Sequence, residues 1–219
     1  MEKRVGVLLS GCGVFDGTEI HEAVITLLTL DRAGAKSVCI APDVDQFHVV
    51  NHLNREEEKE RRNVLVESAR IARGDIRNIK EVRASDLDAL IIPGGYGAVK
   101  NLSNFAVKGP DAKVHPEVKR LLTEMAKAKK PIGAICIAPA TVTKALAERR
   151  PEVTIGDDPG TAAAIETMGG VHRICPVDQI HIDKANRIVS TPAYMLGPGI
   201  KEVAEGIEKL VNQVVAMIS

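Results

Sequence analysis

The 219-residue chain has no excess of charge of either sign: 29 lysines and arginines balance 29 aspartates and glutamates, a formal net charge of zero. That balance argues against a nucleic-acid surface or a polybasic membrane patch. No stretch approaches the roughly 20 apolar residues of a membrane-spanning helix. The opening MEKRVGVLLSGCG has a basic start but only a short apolar run before a turn, unlike a secretory leader. The four cysteines, Cys12, Cys39, Cys136 and Cys175, lie far apart without a CxxC pair, which argues against a zinc site or a disulfide framework. A reducing, cytoplasmic setting is expected. Histidines are not spaced as ligands and no acidic run follows a calcium-loop pattern, so neither metal nor cofactor is expected. No linker, composition shift or repeat divides the chain, and 45% hydrophobic residues supply a sizeable core, so residues 1–219 read as one domain.

What is present is an alternation of short apolar runs with helical periods. KRVGVLLS is a buried strand closed by Ser10 and Gly11. In the following IHEAVITLLTLDRAG, Ile20, Val24, Leu27 and Leu28 share one helical stripe and Gly34 stops the helix. AKSVCIAPD is a second strand, and strand–helix–strand spacing of this kind marks a parallel sheet, whose crossovers need a dozen or more residues. Residues 55–73 read as a charged, then amphipathic helix ending at Gly74, and DLDALIIPGGYG as a strand closed by a glycine turn. Residues 97–116 have no strong period and read as a functional loop or short helix. PEVKRLLTEMAKAKK is helical, PIGAI a strand, APATVTKALAE a helix, and TAAAIETMGG another helix. CPVDQIHID and NRIVSTP read as paired strands, and Ile200 to Ile218 as an amphipathic terminal helix with one face on the sheet.

Cys136 stands between the PIGAI strand and the APATVTKALAE helix, with Ala134 and Ala138 two residues to either side. A nucleophile elbow requires small residues there, because a sharp strand-to-helix turn crowds those positions and strains the central backbone. The helix start should turn its free N–H groups toward the thiol and lower its pKa. A buried structural cysteine at a strand end is the competing account. Pro93, Gly94 and Gly95 close a neighbouring strand, so the backbone N–H of Gly95 could pair with that of Ile137 as an oxyanion hole. Alternatively PGG is only a tight turn. Glu19 and Glu22 open the first helix, either as caps complementing its dipole or, if one faces the thiol, as a carboxyl with a raised pKa that moves protons. Cys12, in SGCG, occupies a similar strand-end turn, whereas mid-strand Cys39 reads as core. All three turns lie at the carboxyl ends of strands, where α/β sheets bind ligands.

GVLLSGCGVFDGTEIHEAV, IIPGGYGAVKNLSNFA, CIAPA and IVSTPAYM resemble, over essentially the whole chain, the PfpI-type class I glutamine amidotransferase-like superfamily. More narrowly they resemble the ElbB family of isoprenoid-biosynthesis proteins with an amidotransferase-like domain. The resemblance implies an α/β fold with a flavodoxin-like parallel sheet and helices on both faces, a three-layer sandwich. It also implies a homodimer, a nucleophilic Cys136 and a glutamate partner carried over to Glu22, with Glu19 one turn earlier in reserve. Gly94, Gly95, Ile137, Cys12 and Asn101 are the expected oxyanion and substrate-binding positions. The chain departs from many relatives in having Ile137, not histidine, after the cysteine. His115, His172 and His181 have no assigned place in the site, which disfavours a Cys–His base pair and glutaminase chemistry.

The activity the resemblance implies is glutathione-independent conversion of a small 2-oxoaldehyde, such as methylglyoxal, to a 2-hydroxy acid, with weak turnover. Two other roles are open: a redox or electrophile sensor acting through a partner, and an amidotransferase-like subunit.

Overall fold

The computed structural model describes residues 2–218. Strand β1 (Arg4–Leu8) leads through a loop into helix α1 (Ile20–Arg32) and strand β2 (Lys36–Ala41). Short strands β3 (Val49–Val50) and β4 (Glu57–Glu58) form an antiparallel hairpin before α2 (Val64–Ile71) and β5 (Arg77–Asn78). Strand β6 (Ala89–Ile92) is followed by two single-turn helices, α3 (Gly97–Lys100) and α4 (Phe105–Lys108), and then by α5 (Pro116–Lys127). Strand β7 (Ile132–Ile135) feeds α6 (Ala138–Ala145). Beyond it lie β8 (Glu152–Val153), α7 (Pro159–Thr167), β9 (Val171–His172), β10 (His181–Asp183), β11 (Ile188–Thr191) and α8 (Ile200–Ala216).

Seven strands form the central sheet in the order β10-β11-β7-β6-β1-β2-β5. All neighbours run parallel except the edge hairpin β10–β11. Both faces are covered, which is the flavodoxin-like three-layer arrangement expected from the alternating pattern. Alternation within the strands divides the core. Val5, Val7, Ala89 and Ile91 pack with Ala23, Ile207, Leu210 and Val214 of α1 and α8. Leu8, Leu90 and Ile92 pack with Val118, Leu121, Leu122 and Val142 of α5 and α6. Each fully buried aliphatic side chain contributes about 1.5–3 kcal/mol.

Two expectations need correction. The helix expected over 55–73 begins only at Val64, where the Asn63 side chain accepts from the Val66 N–H. Residues 55–62 are exposed, charged and without an apolar face to bury. They have no reason to stay helical, and Glu57 and Glu58 pair with β3 instead. The α1 stripe of Ile20, Val24 and Leu28 faces outward, 41–49% exposed, while Glu22, Ala23, Ile25, Thr26, Thr29 and Leu30 are buried. The inward face includes the buried Glu22 carboxyl, and Thr26 and Thr29 satisfy their hydroxyls on the Glu22 and Ile25 carbonyls. In α8 the buried stripe is Val203, Ile207, Leu210, Val211 and Val214, with Ile200 exposed at its start.

Candidate active site

The chain runs from β1 outward to β2 and β5 on one side, then returns to place β6 on the other, so the carboxyl ends of β1 and β6 flank the crevice where the strand order reverses. β7 lies beside β6, and its end brings Cys136 to the same crevice. Cys136 adopts a left-handed φ of 61°, a conformation a residue with a Cβ holds only when its surroundings impose it, at a cost of about 1–3 kcal/mol. Its N–H is anchored on the Thr191 carbonyl at 2.9 Å, and α6 starts at Ala138 with Pro139 in its first turn. The elbow read from small residues around Cys136 is therefore present.

Glu22 reaches across from α1. Its carboxyl is fully buried and lies beside the Cys136 thiol, close enough to push it upward. Oε2 accepts from the Gly94 N–H at 2.8 Å and Oε1 from the Tyr194 N–H at a longer 3.4 Å. The Gly95 and Ile137 N–H groups lie near the sulfur and oppose the rise in its pKa. Gly94 thus binds the acid, and the two positions expected to hold an oxyanion, Gly95 and Ile137, both adjoin the sulfur. Both glycines are required sterically: a Cβ on Gly94 would lie 2.5 Å from the Cys136 Cβ and 2.8 Å from Glu22 Oε2, while Gly95 has φ +90° and its Cβ would collide with Glu19 N and Gly17 O.

The electrostatics differ from the expected low-pKa thiolate. Burial, reinforced by the neighbouring Glu22, pushes the Cys136 thiol upward, and the two backbone N–H groups oppose this only in part. Burial also raises the Glu22 carboxyl to about 8, with Glu19 as the second cause. Two acids that share one dry site cannot both ionise. At neutral pH the pair holds its protons. Loss of one leaves a single negative charge between Oε and Sγ.

Glu19 caps α1, its Oε2 accepting from the Glu22 N–H at 2.7 Å, and it also lines the cavity in front of Cys136. Burial raises its carboxyl. Two expected binding residues are elsewhere. Cys12 is half-buried near Glu67, Arg62 and Arg70, and burial raises its thiol; it does not line the cavity. Asn101 is a staple, donating from Nδ2 to the Ser10 and Asp16 carbonyls at 2.9 and 2.8 Å and accepting from the Phe47 N–H. Neither side chain lines the cavity, and Asn101 secures the β1 loop. His115, His172 and His181 lie apart from the elbow: His115 caps α5, His172 accepts from the Ile155 N–H, and His181 stands 3.5 Å from Glu152.

Two residues escaped the sequence reading. Tyr194 lines the cavity, and its hydroxyl is 2.7 Å from His21 Nδ1, which lies 3.9 Å from Glu19 Oε1. Ala193, at φ 44°, turns the chain so that the Tyr194 N–H meets Glu22. IVSTPAYM contained that tyrosine, but nothing in its local pattern shows which strand end it reaches.

The cavity over Cys136 is about 440 Å³ and is bounded by α3, α4, the elbow, the α7 start and the turn after β11. A hollow of about 500 Å³ lies around His52 and Arg62 on the charged hairpin and is not lined by the elbow.

Residues 12–156 match the DJ-1/PfpI family. The chain is 47% identical to the rat "ES1 protein homolog, mitochondrial", over 98% of this chain and 84% of that protein. It is equally 47% identical to the human "glutamine amidotransferase-like class 1 domain-containing protein 3, mitochondrial", over 98% and 83%. A crystal structure from Ehrlichia chaffeensis, named an isoprenoid biosynthesis protein with amidotransferase-like domain, superimposes with a TM-score of 0.91 at 43% identity, covering 97% of this chain and 99% of that one.

Proposed function

The chain belongs to the DJ-1/PfpI family, and on that premise we propose that it is a cofactor-independent glyoxalase, converting 2-oxoaldehydes to 2-hydroxy acids through a hemithioacetal on Cys136. The observation that carries this reading is the buried Glu22 carboxyl, held by the Gly94 N–H at 2.8 Å, beside Cys136 at its left-handed strand-to-helix turn. The name of the Ehrlichia structure supports placing the chain in the ElbB branch, and the rat relative carries the ES1 name.

In the reactive form the Cys136–Glu22 pair has lost one proton. Sulfur attacks the aldehyde carbon, forming the C–S bond, and the Glu22 proton passes to the aldehyde oxygen, leaving a hemithioacetal and a carboxylate. The carbon now bonded to sulfur lies beside the Glu22 carboxyl. Glu22 removes its C–H proton to give an enediolate, held by the Gly95 and Ile137 N–H groups, and returns the proton to the adjacent carbon. The product is a thioester of the 2-hydroxy acid. Water cleaves it, releasing the acid and regenerating the thiol. No histidine is required, and Glu19 serves as cap and cavity wall.

The test is hydroxy-acid formation from a neutral 2-oxoaldehyde without glutathione. Wild type should turn over; Cys136→Ala and Glu22→Gln should not. Activity surviving in Cys136→Ala would sink the proposal. A sensor role draws on the same carboxyl–thiol pair, which would also hold a sulfinic acid; it gains the lead if wild type is inactive and mild peroxide adds oxygen at Cys136 by peptide mapping. An amidotransferase role is disfavoured by the placement of His21 on Tyr194, and glutamine hydrolysis would overturn that judgement.

A second copy of the chain is proposed to cover the exposed Ile20, Val24 and Leu28 of α1, which repeat every fourth residue on one side. Val24→Glu should halve the mass by sedimentation. The proposed location is a reducing compartment, in keeping with four free cysteines; two relatives are named mitochondrial. No helix among the described residues is long and apolar enough to cross a membrane.

A further inference from the structure

The space above Cys136 is larger and of a different character than a three-carbon aldehyde requires. Methylglyoxal has five heavy atoms, and at roughly the 30 Å³ share of a water molecule in liquid it fills about 150 Å³. The cavity offers about 440 Å³. Its wall beyond the sulfur is built from Val14, Val99, Phe105, Ile137 and Met195, with Tyr96 at the half-exposed mouth. Phe105 and Val99 come from the paired single-turn helices after β6, Met195 from the turn after β11, and Val14 from the β1 loop. An apolar lining gains free energy from an apolar occupant and none from water.

Charge narrows the occupant further. No lysine, arginine or histidine lines the cavity among the described residues, whereas Glu19 and Asp158 do. Asp158 caps α7, its Oδ1 accepting from the Thr161 N–H at 2.7 Å, and those bonds hold its carboxyl below the usual range, so it stays ionised. The nearest cation along the chain, Lys100, lies over the Tyr96 ring with its Nζ engaged by the Phe15 carbonyl and His48 Nε2. A carboxylate or phosphate entering here would meet a negative charge and no donor of opposite sign.

We propose that the Cys136 cavity selects neutral carbonyl compounds bearing an apolar aliphatic or aromatic tail, with Phe105, Val99 and Met195 holding the tail and Asp158 excluding anions. As a statement about substrates this rests on the glyoxalase reading; as a statement about what reaches the sulfur it does not. The same wall repels the product. Turnover converts a neutral substrate to a hydroxy acid anion, which Asp158 disfavours, so release is assisted by the group that sets entry.

The experiment measures alkylation rates at Cys136, by peptide mapping at pH 8.5, with iodoacetamide, iodoacetate and N-benzyl iodoacetamide, each divided by its rate with free glutathione. The benzyl reagent should be favoured over iodoacetamide by about tenfold or more, and iodoacetate disfavoured by a similar factor. Asp158→Asn retains the helix cap and should narrow the gap between iodoacetate and iodoacetamide, and Ala106→Lys, at the exposed rim, should narrow it further. Equal normalised rates, or a preference for iodoacetate, overturn the proposal. In parallel, kcat/KM for phenylglyoxal should exceed that for methylglyoxal, and the reverse order overturns the substrate assignment. If wild type consumes neither aldehyde, the glyoxalase reading fails, and the alkylation ratios still decide the cavity's selectivity.

Discussion

Two glycine turns at adjacent strand ends look alike in sequence and do different things. Gly94, after β6, directs its N–H at the Glu22 carboxyl, and the neighbouring Gly95 lines the cavity with Cys136. Gly11, Gly13 and Gly17, after β1, serve the loop itself: the Gly11 N–H donates to Ser68 Oγ, the Gly13 and Gly17 N–H groups to carbonyls within the loop, and Asn101 ties the loop from outside. Both turns contain left-handed glycines. Left-handed backbone at a strand end thus marks a place where a site can be built, and the group across the crevice decides whether one is.

The largest expected effect separates Cys136, after β7 and facing the β6 turn, from Cys12 in the β1 turn. Cys136→Ala should lower hydroxy-acid formation about 10³-fold or more, whereas Cys12→Ala should leave it within about twofold, since Cys12 does not line the cavity. A comparable loss in both variants would break the distinction.

Glu22→Gln should cost about 10²-fold in kcat and remove a pH dependence. With the Glu22 carboxyl raised to about 8, wild-type activity rises with pH and levels off above that value. The linkage also has a sign. Because the folded carboxyl holds its proton to a higher pH than the unfolded one, stability is greatest at acid pH and falls between about 4.5 and 8. In denaturant titrations wild type should lose up to a few kcal/mol across that window relative to Glu22→Gln, and a flat difference would show that the carboxyl is not buried as described.

The glycine comparison is tested by paired substitutions. Gly95→Ala and Gly11→Ala each force a Cβ into a left-handed position, with the Gly11 Cβ 2.9 Å from Gly17 Cα, and each should cost about 1–3 kcal/mol in chemical denaturation. Only Gly95→Ala should also lower kcat in the protein that remains folded, because Gly95 adjoins the sulfur and lines the cavity. The smallest effect on chemistry is expected for Asn101→Ala. Loss of its contacts to Ser10, Asp16 and Phe47 should cost about 1–3 kcal/mol and lower Tm, with kcat at 25 °C nearly unchanged.

Much of the molecule was legible because local pattern and tertiary role coincide. Apolar runs closed by turns marked β1, β2, β6 and β7, since strands buried on both faces need continuous apolar sequence. The elbow was legible because its crowding demands small neighbours at Ala134 and Ala138, a constraint confined to five residues. The charged stretch before Val64 misled because a helical composition without an apolar face lacks the packing that stabilises a helix. The outer stripe of α1 misled for the opposite reason: apolar periodicity identifies a helix but does not say which side meets the core.

The sequence by itself determined the parallel sheet, the strained cysteine and the carboxyls at the start of α1, because hydrophobic period, turn sterics and helix capping act over a few neighbouring residues. Tertiary structure alone decided that Glu22 meets the sulfur while Glu19 caps the helix, that Tyr194 joins the cavity with His21 on its hydroxyl, and that Cys12 and Asn101 stay outside it. It also decided that the thiol is raised in pKa. Those outcomes depend on desolvation and on distances between residues far apart in the chain, such as the link between Glu22 and Tyr194, and short-range pattern carries neither quantity.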